Sequence, residues 1–189
     1  LEVVHSGEIG ELRLIRLNFT FDREVSLTDA RYQVEHGGGS IMDVGCYCTN
    51  FARALAQVEP TGVHAIAHLH ESGVDDYAAG TLQFDPNILA TFTCGMTVKS
   101  DPGAYIAGTE GMITMDAFWF AESGFAVTKN GEVTHYAEPP QRALYASEAD
   151  AFARVVAGEA EPWINKADTL GNMRVLDQLR TNAGVPLGV

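Results

Sequence analysis

The chain has 189 residues, 46% of them hydrophobic, so it can bury one substantial core, and we expect a single domain. Its 25 acidic residues outnumber 12 basic ones, which gives a formal net charge of −13. Nucleic acids and anionic membranes are therefore excluded as expected partners, because both are bound by clustered Lys and Arg.

The sequence contains no long apolar run and no basic-then-apolar leader, so it predicts neither a membrane span nor a signal peptide. The cysteines are three, and Cys46 and Cys48 lie two apart in a predicted helix, on different faces. We expect reduced thiols and a cytoplasmic protein. The chain begins at Leu1 without an initiator Met, on residues typical of the end of a helix, and we interpret it as a fragment.

The first half of the chain predicts one strand and one long helix. Apolar and polar residues alternate over 15–21, which is the period of a strand with one buried face. No period persists over 22–36, a length typical of loops that bind something. After the glycine run 37–39, a helix is expected over 41–57.

The second half predicts strands joined by short turns, followed by two helices. The predicted strands cover 63–70, 80–84, 88–98, 104–107 and 112–116, with a further hairpin at Asn130-Gly131 and helices at 142–157 and 166–182. The strand over 88–98 is two-faced, with apolar residues on one side and threonines on the other. Short turns between neighbouring strands predict an antiparallel-rich sheet and an α+β fold.

Polar side chains are concentrated at the start of the first long helix. Asp43, Tyr47 and Asn50 have the spacing i, i+4, i+7, which places all three on one helical face. Gly38 and Gly39 remove side-chain bulk just before the helix N-terminus, where free amides and the helix dipole favour an anion or a polar ligand. The pattern predicts close approach of a ligand, with Asp43 orienting a hydroxyl.

Tyr47 is the candidate for proton transfer. A phenol titrates at about 10, so it needs a neighbouring cation to work near neutral pH, and none is close in sequence. The alternative is structural: Ser40 and Asp43 have capping-box spacing, the glycines form an ordinary turn, and Tyr47 is a half-buried core aromatic.

Five segments together resemble the C-terminal domain of the glucose–fructose oxidoreductase/inositol dehydrogenase (Gfo/Idh/MocA) family of dinucleotide-dependent oxidoreductases. They occur in the family's order and cover nearly the whole chain: Gly7-Glu8-Ile9-Gly10-Glu11, the block from Gly37 to Tyr47, Gly80-Thr81-Leu82, Gly108-Thr109-Glu110-Gly111, and Asn172-Met173-Arg174-Val175-Leu176-Asp177.

The resemblance implies an open, mostly antiparallel mixed sheet with helices on one face, like the C-terminal domain of glyceraldehyde-3-phosphate dehydrogenase. Residues 1–189 would form the substrate-binding, catalytic and oligomerisation domain, following a Rossmann domain that this chain lacks. The same resemblance implies that NAD or NADP is bound mainly by that domain, with Gly38 and Gly39 contacting the cofactor.

The resemblance also implies roles for particular residues. Tyr47 and Asp43 would be catalytic, and Asn50 would contact substrate hydroxyls. Many family members have His where this chain has Tyr47. The tyrosine makes this chain most similar to the branch that contains glucose–fructose oxidoreductase, xylose dehydrogenase and dihydrodiol dehydrogenase. In that branch the missing cation is a lysine of the N-terminal domain, so we expect this chain to be inactive alone.

Other candidates have two interpretations each. Arg31 is placed where family members position residues beside nicotinamide or substrate, or it is an exposed loop residue. Phe21 lines the substrate pocket or belongs to the core. His68 and His70 are close enough on one strand to share a metal ion, but a polar sheet face is the commoner explanation, and no metal is predicted.

The function expected from these observations is hydride transfer between a sugar, polyol or diol and NAD(P), with Tyr47 moving the hydroxyl proton. The alternative is a non-catalytic ligand-sensing or assembly module that keeps the fold. The threonine-rich sheet face must meet water or another subunit, and the resemblance implies a homodimer or tetramer through it.

Overall fold

The computed structural model describes residues 1–84, 87–100, 102–117, 119, 124–137 and 145–188. The helical elements are α1 (Glu2–His5), two 3-10 turns (Ala30–Tyr32 and Val34–His36), a π-helical turn (Ile41–Gly45), α2 (Cys46–Ala56), α3 (Ala146–Val156) and α4 (Lys166–Ala183). The strands are β1 (Leu12–Thr20), β2 (Gly62–Leu69), β3 (Asp75–Phe84), β4 (Ile88–Gly95), β5 (Gly103–Gly108), β6 (Gly111–Asp116), β7 (Phe125–Lys129) and β8 (Glu132–Tyr136).

The eight strands form one sheet in the order β2-β3-β4-β1-β5-β6-β7-β8. β1 and β4 pair in parallel, and the other six neighbouring pairs are antiparallel. The turn Asn130-Gly131 joins β7 to β8 with positive φ at both residues, as a two-residue hairpin requires. The prediction of an α+β fold with an open, mostly antiparallel mixed sheet is confirmed.

The core lies between the sheet and helices α2 and α4. In β4, Ala90, Phe92 and Cys94 are buried against it, while Thr91 and Thr93 are exposed on the other face. Leu176 and Leu179 of α4 fill the core from the helical side. The described helices therefore cover one face of this part of the sheet, as predicted from the two-faced strand.

Several boundaries differ from the predicted ones. The segment 22–36 is not structureless, because two short 3-10 turns occupy its second half. β3 begins at Asp75, earlier than the predicted 80, and this places Asp75 inside the sheet. Residues 85–86, between the strands predicted over 80–84 and 88–98, and the first residues of the helix predicted over 142–157, namely 142–144, lie outside the described residues. Among the described helices, none has both the length and the hydropathy to cross a bilayer.

Candidate active site

The helix that carries the predicted site residues begins irregularly. Its first turn, Ile41–Gly45, is π-helical, and the regular helix α2 starts only at Cys46. Ile41 and Val44 of the π turn are buried in the core, so the turn faces the sheet on one side. π-helical turns are frequent at functional sites, and here the turn carries Asp43, three residues before α2 begins.

A carboxylate from β3 holds the beginning of this helix. Asp75 Oδ2 accepts hydrogen bonds from the Ser40 hydroxyl and from the Ile41 amide, each at 2.7 Å. Asp75 is fully buried, and burial raises the pKa of its carboxyl group. The capping box predicted for Ser40 and Asp43 is therefore wrong, because Ser40 donates to Asp75 and the Asp43 side chain pairs elsewhere.

Asp43 and Arg31 form an ion pair, so the structure joins two of the predicted site residues. Arg31 Nε donates to both Asp43 oxygens at 3.0 Å, and Arg31 Nη1 contacts Asp29 at 3.3 Å. Asp29 also accepts the backbone N–H of Arg31, which is the main cause of its lowered pKa. The attraction of Asp43 raises the pKa of the Arg31 guanidinium further. The 3-10 turn at 30–32 therefore presents a charged network beside the π turn.

Tyr47 is exposed, not a half-buried core residue, with 54% of its surface accessible. Its ring lies 5.6 Å from Phe19 and 6.4 Å from Trp119, measured between centroids. Burial of part of the ring is the main cause of a raised pKa for the phenol, and Asp43 and Glu148 raise it further. The alternative that Tyr47 is a half-buried core aromatic is therefore wrong. Within this chain, partial burial and acidic neighbours disfavour the ionised form of the phenol.

Trp119 completes an aromatic cluster with Phe19, Tyr47 and Phe51. Its indole ring stacks on Phe19 at 4.8 Å with an interplanar angle of 9°, and its Nε1 donates to the Asn18 carbonyl at 2.7 Å. Phe51 contacts its edge at 6.5 Å. Sequence analysis missed Trp119, because it falls between β6 and β7 where no period marks a facing direction.

Asn50 and Phe21 lie in different surroundings from the ion pair. The Asn50 amide donates to Asp168 at 3.0 Å, at the start of α4. Phe21 is partly buried and packs against the small cluster that contains Tyr32 and Met96. The structure thus shows a core role for Phe21 and a helix-joining role for Asn50, and substrate contact by either stays a prediction.

Gly38 and Gly39 are both buried, and their amides are used within the chain. The Gly38 amide donates to Gln33 and the Gly39 amide to Arg31. A side chain at Gly38 would lie 2.5 Å from the Arg31 carbonyl oxygen, and one at Gly39 would overlap the Asp75 carboxylate. The 3-10 turn and β3 pack so closely on Gly38 and Gly39 that neither position has room for a side chain. Cofactor contact by these two glycines stays a prediction, and neither glycine has a free amide that would support it.

The histidines of the β2 region have partners on the protein. His68 Nδ1 lies 2.7 Å from Asp76, and His70 Nδ1 lies 3.0 Å from the Ser72 hydroxyl. Within the described ranges, no group of three or more His, Cys, Asp or Glu is arranged to hold a metal ion.

The profile of the GFO/IDH/MocA C-terminal domain family matches residues 1–114. The chain belongs to this family. Among curated relatives of this GFO/IDH/MocA domain, mouse (Mus musculus) trans-1,2-dihydrobenzene-1,2-diol dehydrogenase is 32% identical over 139 residues, covering 73% of this chain and 40% of the relative. The D-xylose 1-dehydrogenase (NADP(+)) 2 of Haloferax volcanii is 26% identical over 184 residues, covering 94% and 56%.

Solved structures support the fold of this GFO/IDH/MocA domain. The aldose-aldose oxidoreductase from Caulobacter crescentus, complexed with glycerol, has a TM-score of 0.85 at 22% identity, covering 97% of this chain and 56% of that one. The 3-ketoreductase KijD10 from Actinomadura kijaniata, with NADP and TDP-benzene, has a TM-score of 0.82 at 23% identity, covering 96% and 57%. The chain thus spans about half the length of the proteins it matches.

Proposed function

We propose that residues 1–189 form the substrate-binding, catalytic and oligomerisation domain of an NAD(P)-dependent oxidoreductase that acts on a CH–OH group of a sugar, polyol or diol. The supporting observation is the exposed Tyr47 phenol, which stands on an aromatic surface one helical turn from the Asp43–Arg31 ion pair. The named relatives, a diol dehydrogenase and a xylose dehydrogenase, support this substrate class.

In this proposal Tyr47 exchanges a proton with the substrate hydroxyl. The Arg31 side chain is 41% exposed, so it can offer a hydrogen-bond donor to a substrate oxygen beside Asp43. The flat ring of Trp119 supports the apolar face of a sugar ring or a diol. Position and proton handling are what the protein contributes to such a reaction.

The dinucleotide fits poorly on this chain alone. A phosphate cradle needs free amides at a helix N-terminus, and here Asp75 occupies the Ile41 amide while the amides of Gly38 and Gly39 donate internally. We therefore assign cofactor binding to the part of the full-length protein that precedes this chain. When bound, NAD(P) accepts or donates the hydride.

The raised pKa of Tyr47 also supports a site that is completed by the rest of the full-length protein. A phenol that must release its proton near neutral pH needs a cation, and this chain supplies mainly acidic neighbours to Tyr47. The family resemblance assigns that cation to a lysine of the N-terminal domain. This chain alone should therefore produce no NAD(P)H with any sugar, and steady production by the purified chain would contradict the proposal.

The test is Tyr47→Phe in the full-length protein, assayed for NAD(P) reduction with a panel of sugars, polyols and diols. Loss of a general acid–base group should lower kcat by about 100-fold or more, with unchanged thermal unfolding. Tyr77→Phe is the matched control, because Tyr77 is an exposed tyrosine on the open face of the sheet, on the side opposite α2 and Tyr47. Unchanged turnover in Tyr47→Phe would favour the non-catalytic ligand-sensing or assembly module.

The open sheet face supports self-association as a homodimer or tetramer. Ile66 and Leu89 are 75% and 54% exposed there, beside Thr91 and Thr93. Light scattering of the chain at micromolar concentration should give at least twice the 20.4 kDa monomer mass. Ile66→Glu should reduce the mass to the monomer, whereas Leu27→Glu, in the exposed loop before the first 3-10 turn, should not.

A further inference from the structure

Gly39 connects both members of the Asp43–Arg31 ion pair through its backbone. The Gly39 amide donates to the Arg31 carbonyl at 2.9 Å, and the Gly39 carbonyl accepts the Asp43 amide at 2.9 Å. The ion pair itself joins Arg31 Nε to both Asp43 oxygens at 3.0 Å. The three residues therefore form a closed ring of contacts, so a displacement of Gly39 changes how the two charged side chains meet.

The position of Gly39 is set by Asp75 of β3. Asp75 Oδ1 occupies the space that a side chain at Gly39 would need. Its other oxygen, Oδ2, accepts the Ser40 hydroxyl and the Ile41 amide at 2.7 Å each. Ser40 and Ile41 are fully buried, so these two donors would be left unpaired away from water if Asp75 moved. Asp75 thus fixes three consecutive residues where the chain enters the π turn.

The π turn is also packed closely against the sheet along its inner side. A Cβ at Gly45, the last residue of the turn, would lie 3.2 Å from Cys94 Sγ of β4, and Val44 is buried in the core. The turn is therefore held by β3 at its start and by β4 at its end. Asp43 and Tyr47 come next along the same helical segment, so their placement depends on where this start is held.

The neighbouring residue Asp76 provides an internal comparison. It is also a buried carboxylate of β3, with one oxygen 2.7 Å from His68 Nδ1 and the other accepting the Thr97 hydroxyl at 2.9 Å. Its partners lie on β2 and just after β4. Two adjacent buried carboxylates with two partners each therefore hold different parts of the molecule: Asp76 joins strands, and Asp75 joins the sheet to the helix of the candidate site.

We propose that Asp75 is a positioning residue of the candidate active site. It fixes residues 39–41 so that the Asp43–Arg31 ion pair and the Tyr47 phenol meet the same substrate group. The inference rests on the proposed function for what the site does. Asp75 acts through residues 39–41 and takes no part in proton transfer. Since misplacement of reacting groups by about 1 Å costs on the order of 100-fold in rate, loss of this anchor should lower turnover in protein that is still folded.

The test compares Asp75→Asn with Asp76→Asn in the full-length protein, each assayed below the onset of its thermal unfolding. In Asp75→Asn the amide nitrogen either lies against Gly39 without an acceptor or meets the Ile41 amide as a second donor. The variant should therefore lower kcat by about 10-fold or more. Asp76→Asn, the matched control, should leave kcat within about 2-fold. Equal losses in the two variants would reveal a general effect of lost stability and overturn the proposal.

The Arg31 Nε–H group gives a measurement that does not depend on activity. Nitrogen-15 NMR of the full-length protein, assigned with Arg31→Lys, reports its exchange with water. Asp75→Asn should speed this exchange by about 10-fold or more, because Nε is no longer held on both Asp43 oxygens, and Asp76→Asn should not. Unchanged exchange in Asp75→Asn would overturn the proposal even in an active dehydrogenase. Faster exchange in a full-length protein without dehydrogenase activity would support the positioning role and contradict the proposed function.

Ser40→Ala keeps the proposal testable if Asp75→Asn does not fold. It removes one of the two donors to Asp75 Oδ2 and leaves the bond from the Ile41 amide. Exchange of the same N–H group should become about 3-fold faster or more, with a lower kcat. Thr97→Ala, which removes one donor from Asp76, is the control and should change neither quantity. Unchanged exchange and turnover in Ser40→Ala would also overturn the proposal.

Discussion

Adding a single methyl group at Gly39 should strongly lower the free energy of unfolding. Its φ of +114° lies in a region that residues with side chains rarely adopt, and a Cβ there would overlap Asp75 Oδ1 and lie 3.0 Å from Asp75 Cγ. Backbone strain of about 1–3 kcal/mol and overpacking of about 1–3 kcal/mol add to roughly 2–6 kcal/mol for Gly39→Ala. Asp75 is fully buried and cannot move aside without releasing the Ser40 and Ile41 hydrogen bonds.

Urea unfolding of the purified chain, followed by circular dichroism, measures this loss. Gly37→Ala is the control, because Gly37 also has a positive φ of +68° but open space around its missing Cβ. It should lower the free energy of unfolding by only about 1 kcal/mol. A Gly39→Ala protein as stable as Gly37→Ala would refute the explanation of the glycine run by packing against β3.

Two further predictions concern charge and thiols. Arg53→Met should lower the free energy of unfolding in urea by about 1.5–3 kcal/mol, because the buried Arg53 side chain forms ion pairs with Glu59 and Asp168. Arg13→Met removes an exposed ion pair with Glu11 and should lower it by less than about 0.5 kcal/mol. Equal losses in the two variants would contradict this prediction. Burial raises the pKa of Cys46 to about 11 and that of Cys94 to about 12, and Cys48 is also buried. Iodoacetamide at neutral pH should therefore label none of the three cysteines in the folded chain and all three after unfolding. Mass spectrometry measures the number of labelled thiols.

The regular parts of the fold could be predicted because their signals are local. The alternation along β4 predicts which face is buried, and Asn130-Gly131 predicts its hairpin. α4 ends at Ala183, and Gly184 after it takes the left-handed conformation expected after a helix. The parallel pairing of β1 with β4 could not be predicted, since no local pattern records which distant strand becomes a neighbour.

The site was predictable only in part, for the same reason. Asp43, Tyr47 and Arg31 were identified from spacing and resemblance, and the structure pairs Asp43 with Arg31. Asp75 was missed because it lies 34 residues from the Ile41 amide that it binds. A buried carboxylate in a strand has no sequence signature that distinguishes it from an exposed turn residue, and Asp75 falls between the strands predicted over 63–70 and 80–84. Trp119 was missed because an isolated aromatic between two strands has no period.

Titration of Tyr47 tests the central claim most directly, because the account requires a phenol that becomes competent only in the full-length protein. Tyrosine labelled with carbon-13 at Cζ, assigned with Tyr47→Phe, reports this pKa by NMR. In this chain alone the Tyr47 signal should titrate above the ordinary pKa of tyrosine, since partial burial and acidic neighbours oppose ionisation. In the full-length protein with NADP it should titrate below that value. The same raised pKa in both proteins would contradict the assignment of Tyr47 as the proton-transfer group.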